Sequence, residues 1–140
     1  MKIGTWLKLM IVGACTICCA GLLAADNWHH YRGPEMNGKS QVVDIDPAKY
    51  QKAWETKVHT GFSGIVYHDQ KLFTMGNDSG TEYVLSLDAN TGKTLWKHSY
   101  KQDLMPNLYE GGPNATPTYH AGKIYTLSRN GDIFCLDAES

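Results

Sequence analysis

From Gly64 onward the chain alternates short runs rich in apolar, β-branched and aromatic residues with small polar clusters. Residues 64–67, 71–75, 83–87 and 93–100 have the length and period of half-buried strands. Between them stand His68-Asp69-Gln70, the Gly-, Asn- and Asp-rich stretch 76–81, and residues 88–92, all built from residue types that close turns. The pattern predicts four antiparallel strands in one up-and-down sheet. Residues 116–119, 123–127 and 132–136 repeat the first three strands of that order.

The repetition extends to individual residues. Tyr67-His68, Lys71 and Thr74 recur as Tyr119-His120, Lys123 and Thr126, and Leu87-Asp88-Ala89 recurs as Leu136-Asp137-Ala138. The second copy is shorter by three residues, a difference that a hairpin tip absorbs. Repeats of about 40–50 residues made of short strands are the signature of propeller blades. The fold class expected is therefore all-β, a β-propeller of four-stranded antiparallel blades with about one and three-quarter blades present. Trp54 in "KAWETKVHTGFSG" stands where Trp96 stands in the first blade, so residues 52–58 read as an outermost, ring-closing strand without a blade of its own. The division expected is a signal peptide at 1–25, an extended segment at 26–51, and propeller repeats from 52 to 140, with blades at 62–100 and 112–140. A ring of about six to eight such blades needs on the order of 300 residues, so the sequence reads as the amino-terminal part of a longer propeller.

The first 25 residues have a different character. Lys2 and Lys8 precede an apolar stretch from Leu9 to Ala20, and Ala24-Ala25 precede Asp26. This is the order of a cleaved secretory signal, and the apolar stretch is too short for a spanning helix of about 20 residues. A secreted or periplasmic protein without a membrane span is expected. Cys15, Cys18 and Cys19 leave with the signal, so Cys135 remains without a partner for an internal disulfide. Lys plus Arg falls from 13 to 11 against 14 Asp plus Glu, giving 11 − 14 = −3 for the mature chain. No basic face suggests a nucleic-acid partner.

The turn "SLDANTGKTLW" carries a docking motif. Asp88 can accept from the turn amides, Gly92 can take a left-handed conformation, and Trp96 can pack between blades with its indole N–H on a backbone carbonyl. With Asp88, Thr91, Gly92, Lys93 and Trp96 in place, residues 86–96 resemble the tryptophan-docking motif of the pyrroloquinoline-quinone (PQQ) repeat family, Ala-x-Asp-x-x-Thr-Gly-Lys-x-x-Trp, with Ser86 at the first position. "WHHYRGPEMNGKS" and "NLYEGGPNATPT" are also similar to segments of secreted bacterial PQQ-like propellers. The resemblance implies one of two functions. Propellers similar to the outer-membrane assembly type are interaction scaffolds for a protein or glycan partner. Quinoprotein dehydrogenases oxidise alcohols or sugars with PQQ and calcium, and several carry adjacent cysteines that the mature part of this chain lacks. The scaffold reading is the one favoured here.

Other candidates are few. His59 and Glu110 fall in loops that lead from an outer strand to the next inner one, where a propeller face binds its ligands, and the loop holding Glu110 is the longer. No catalytic residue and no metal ligand is assigned. His29-His30 is not a metal pair, because neighbours on an extended chain point to opposite sides. His68 and His120 occupy one repeat position beside hairpin turns and read as structural. Cys135 reads as a small buried hydrophobe. Asn77 and Asn114 begin glycosylation-type triplets, the second weakened by Pro117.

Overall fold

Alternation at β-strand period in the chain becomes two antiparallel sheets in the computed structural model, which describes residues 27–40, 46–107 and 109–140. The expected signal segment 1–25, with Cys15, Cys18 and Cys19, lies outside the described residues. The first sheet runs in the order β1 (Val66–His68), β2 (Lys71–Asp78), β3 (Thr81–Asp88) and β4 (Thr94–Lys101). The second runs β5 (Thr118–His120), β6 (Lys123–Leu127) and β7 (Ile133–Asp137). The fold is all-β: one four-stranded propeller blade and three strands of the next, in an open rather than closed ring.

Several strand boundaries differ from expectation, among them the start of β1 at Val66 rather than Gly64, and two of the differences have a clear local reason. The stretch 76–81 is not a broad loop. β2 and β3 run to a two-residue turn at Ser79-Gly80, both at positive φ (52° and 89°), which matches the twist of a tight hairpin. Asn77 is consequently a buried strand residue that donates to the Gln102 carbonyl (2.6 Å) and accepts from the Gly80 amide (3.1 Å). The second inner strand begins at Thr118 rather than Thr116, because Pro117 has no N–H for the ladder.

The core lies between the sheets. Register places Phe73 against Ser86, Met75 against Val84 and Asn77 against Glu82, and β4 adds Trp96, His98 and Tyr100 to the same face. Val66, Phe73, Met75 and Val84 pack with Ile124 and Ala138 of the second sheet, flanked by Tyr119 and Leu136. The Phe134 ring packs at a tilt against Tyr100 (4.4 Å) and His98 (5.1 Å). Each large apolar side chain buried here contributes about 1.5–3 kcal/mol.

Two tryptophans fasten successive layers. The Trp96 indole donates to the Ala138 carbonyl (3.1 Å), and the Trp54 indole donates to the Ala89 carbonyl (2.9 Å). Ala89 and Ala138 are equivalent positions of the repeat, so residue 54 docks on the first blade as residue 96 docks on the second. The segment around Trp54 is extended, with Trp54, Thr56 and Val58 half-buried and their neighbours exposed. It forms no strand among the described residues, and its bridge to the first sheet is at Thr60–Asn77. A Cβ at Gly76 would fall 1.6 Å from the Val58 carbonyl oxygen, so only glycine lets this segment cross β2.

Cys135 departs from its expected burial and is exposed. Phe134 and Leu136 turn toward the first sheet, which leaves Ile133 and Cys135 on the opposite face of β7, uncovered among the described residues.

Glu82 is fully buried in the inter-sheet face, with one carboxylate oxygen bonded to the Tyr100 hydroxyl and the other without a partner. Burial, only partly offset by the Tyr100 bond, pushes its pKa above the ordinary glutamate range, and burial together with Glu82 pushes the Tyr100 phenol up. A carboxyl that holds its proton more tightly when folded stabilises fully below its unfolded pKa and loses that contribution as pH rises through the folded one. We therefore expect the urea midpoint to fall as pH rises above about pH 4, and Glu82→Gln, which keeps the acceptor for Tyr100, to flatten the fall.

Candidate functional site

The docking turn is an acceptor cage around Asp88. One carboxylate oxygen accepts from the amides of Asn90 (3.0 Å) and Thr91 (2.8 Å) and from the Thr91 hydroxyl (2.8 Å). The Thr91 hydroxyl, more than any other contact, holds the Asp88 carboxyl below its usual range. Gly92 sits at φ 70°, and a Cβ there would meet the Trp54 ring at 2.4 Å, so the glycine serves both the turn and the docked indole. Lys93 closes the turn through its carbonyl, which accepts from the Asp88 amide (2.8 Å). In the second repeat Asp137 pairs with Lys123 (2.8 Å). These groups are committed to one another and make a structural fastening.

The segment 27–40 crosses the inner strands of both sheets. Trp28 exchanges two backbone hydrogen bonds with Tyr67 (2.9 Å each), and the His29 carbonyl accepts from the Tyr119 amide (2.7 Å). The His29 ring then meets the His68 ring in a hydrogen bond, Nε2 to Nδ1 at 2.9 Å, while His68 stacks on Tyr119 with centroids 3.7 Å apart. His29 and His30 do diverge: His30 turns to the Pro34 carbonyl (3.4 Å). Burial, then the proximity of His68, His30 and His120, lowers the His29 pKa.

A second cluster lies on the loops that lead into β1 and β5. Phe62 and Tyr109 rings meet at 4.9 Å, and both are exposed. With Tyr31, Gly64, Asn114 and Thr116, Phe62 lines an open cleft of about 560 Å³. The loops are locked backbone to backbone, with the Phe62 amide donating to the Pro113 carbonyl (2.7 Å). Gly112 at φ 81° lies against Thr60 and Gly61, where a Cβ would come within 2.6 Å of the Thr60 carbonyl oxygen.

The two face-loop candidates from the sequence part company. His59, at φ 64°, stacks on Tyr83 at 5.6 Å and lies 3.6 Å from Asp78, beside the β2–β3 hairpin. Glu110 is exposed next to Tyr109 and Gly111, and its carboxylate makes no hydrogen bond or ion pair among the described residues. Sequence reading passed over Tyr31, Phe62 and Tyr109. Their signal was an aromatic residue close to glycine in each segment, in Tyr31-Arg32-Gly33, Gly61-Phe62 and Tyr109-Glu110-Gly111. It also treated His68 as a turn-flanking residue and did not foresee its pairing with His29.

Among the described residues no three His, Cys, Asp or Glu side chains come together as a metal-binding group. Among the same residues no helix is long and apolar enough to cross a membrane.

Blades of this strand order, fastened through indole-to-alanine hydrogen bonds at a Leu-Asp-Ala repeat, define a propeller of the tryptophan-docking class. Residues 80–140 match the family model described as outer membrane protein assembly factor BamB. Over these residues the chain is similar to the PQQ-like repeat propellers. The curated proteins searched contain no match to it.

The His29–His68 contact sets a pH limit on the docked segment. A histidine whose folded pKa is lowered contributes fully above its unfolded pKa, about 6.5, and loses that contribution as pH falls toward the folded value. Protection factors of the amides of Trp28, Tyr67 and Tyr119, corrected for the intrinsic exchange rate at each pH, should therefore fall below about pH 6 more than those in β2 and β3. An equal fall in all of these would contradict a local origin.

Proposed function

We propose that the chain is part of a secreted or periplasmic PQQ-like propeller that acts as a binding scaffold, engaging a protein or glycan partner through the loops leading into its inner strands. One observation carries the reading. Tyr31, Phe62 and Tyr109 come from three separate segments and remain exposed: Tyr31 and Phe62 line one cleft, and Tyr109 packs on Phe62. Exposed aromatic clusters of this kind mark recognition surfaces, since they supply large contact area for little lost side-chain freedom. The rest of the fold supports it: glycines and backbone hydrogen bonds hold the loops to a rigid pair of sheets, and that is how a scaffold presents a site. The matched family model is described as an assembly factor, in keeping with a role in association. Export is supported by the order of charge, apolar stretch and small residues in positions 1–25.

The test is a photoreactive phenylalanine analogue placed at Phe62 in cells of the source organism, with a second at Leu95 on the exposed side of β4 as control. A discrete crosslinked species from position 62 and none from position 95 is expected. Tyr109→Ser should reduce that species at least about tenfold. Crosslinking that is diffuse, or equal at both positions, would overturn the scaffold reading. So would reduction of an artificial electron acceptor by alcohols or aldoses when PQQ and calcium are added.

A further inference from the structure

The lining of the cleft is uncharged. Tyr31, Phe62, Gly64, Asn114 and Thr116 supply two aromatic rings, an amide, a hydroxyl and a bare backbone. The nearest cation in sequence, Arg32, is turned away to the Asn37 carbonyl (3.2 Å). The Asn114 amide and the Thr116 hydroxyl make no hydrogen bond among the described residues, so both can bind a ligand. Gly64 keeps the hydroxyl accessible, because a Cβ at that position would lie 2.5 Å from Thr116 Oγ1. The volume, about 560 Å³, falls within the range of small-molecule sites.

We infer that this cleft is a binding site for neutral saccharide rings. The inference rests on the scaffold reading and names the partner class. The C–H face of a pyranose is apolar with a slight positive edge, which suits the negative face of an aromatic ring. Its hydroxyls are donor and acceptor at once, as are the amide of Asn114 and the hydroxyl of Thr116. An acidic sugar or a phosphate would find no cation in this lining. A peptide adding to a strand edge would need free backbone groups. Here the Phe62 amide is bonded to Pro113, and the Gly64 carbonyl already accepts from the hydroxyls of Thr74 (3.3 Å) and Ser63 (3.0 Å). Recognition is left to rings, amide and hydroxyl.

The test uses the full chain in calorimetric titrations with maltotetraose, cellotetraose and chitotetraose as neutral probes, tetragalacturonate as the acidic one, and an aromatic tetrapeptide. Saturable binding of at least one neutral probe is expected, weakened at least about tenfold in both Phe62→Ala and Asn114→Ala. Both positions are exposed, and an unchanged thermal midpoint would show that the variants fold. The inference is overturned if no neutral probe binds, if binding survives both substitutions, or if tetragalacturonate binds equally well. Binding of the peptide alone, dependent on Phe62, would overturn the saccharide assignment and leave the scaffold reading standing. Loss of the specific crosslink at position 62 as well would remove both.

Discussion

The architecture depends on one hydrogen bond made twice. An indole N–H from an outer segment reaches the carbonyl of an alanine just past the third strand of a blade, from Trp96 of β4 to Ala138 and from Trp54 of the extended segment to Ala89. The bond itself is modest, about 1 kcal/mol net. Its weight comes from what it orients. An indole held at its tip can lay its flat body across the neighbouring sheet, and Gly92 is a glycine because that body needs the space. The Asp88 turn, with three donors on one oxygen, fixes the backbone that presents the next tryptophan. Turn and indole are therefore one device: the turn sets where the outer strand starts, and the outer strand sets where the next sheet lies.

Between the sheets, the apolar centre of Val66, Phe73, Met75, Val84 and Ile124 gives way at one end to Asn77, Glu82, Tyr100 and Gln102. Burying these groups costs free energy unless they are bonded. Asn77 is bonded on both sides, whereas Glu82 leaves one oxygen without a partner. The polar end ties the tight β2–β3 hairpin to the end of β4, and so also supports the Thr60 bridge and the loop that carries Phe62. Support for the cleft thus begins in residues that never touch it.

The blades were readable from the sequence because a propeller writes its period into the chain: Tyr-His, Lys, Thr and Leu-Asp-Ala return in order, and the turn residues between them admit few backbones. The limits of the strands were less readable. Asn77 and Asp78 look like loop residues by type, yet a two-residue turn leaves them in the ladder, and Asn77 is buried because its amide satisfies the turn and β4 together. Cys135 was placed inside by its alternation, but alternation gives a face and not what covers it. The cleft was hidden for a different reason. Tyr31, Phe62 and Thr116 are far apart in the chain, and only the crossing of segment 27–40 over both inner strands brings them together.

That crossing also has a consequence for the order of assembly. Trp28 and His29 bond to Tyr67 and Tyr119, which belong to different sheets, so the segment has no binding surface until both sheets exist and lie side by side. Contacts between such distant parts of the chain close the longest loops and form late. A segment that precedes both sheets in the chain is in this way placed only after they have formed. Tyr31 takes its place beside Phe62 and Thr116 at that point, and the completed cleft reports that the two blades have already joined.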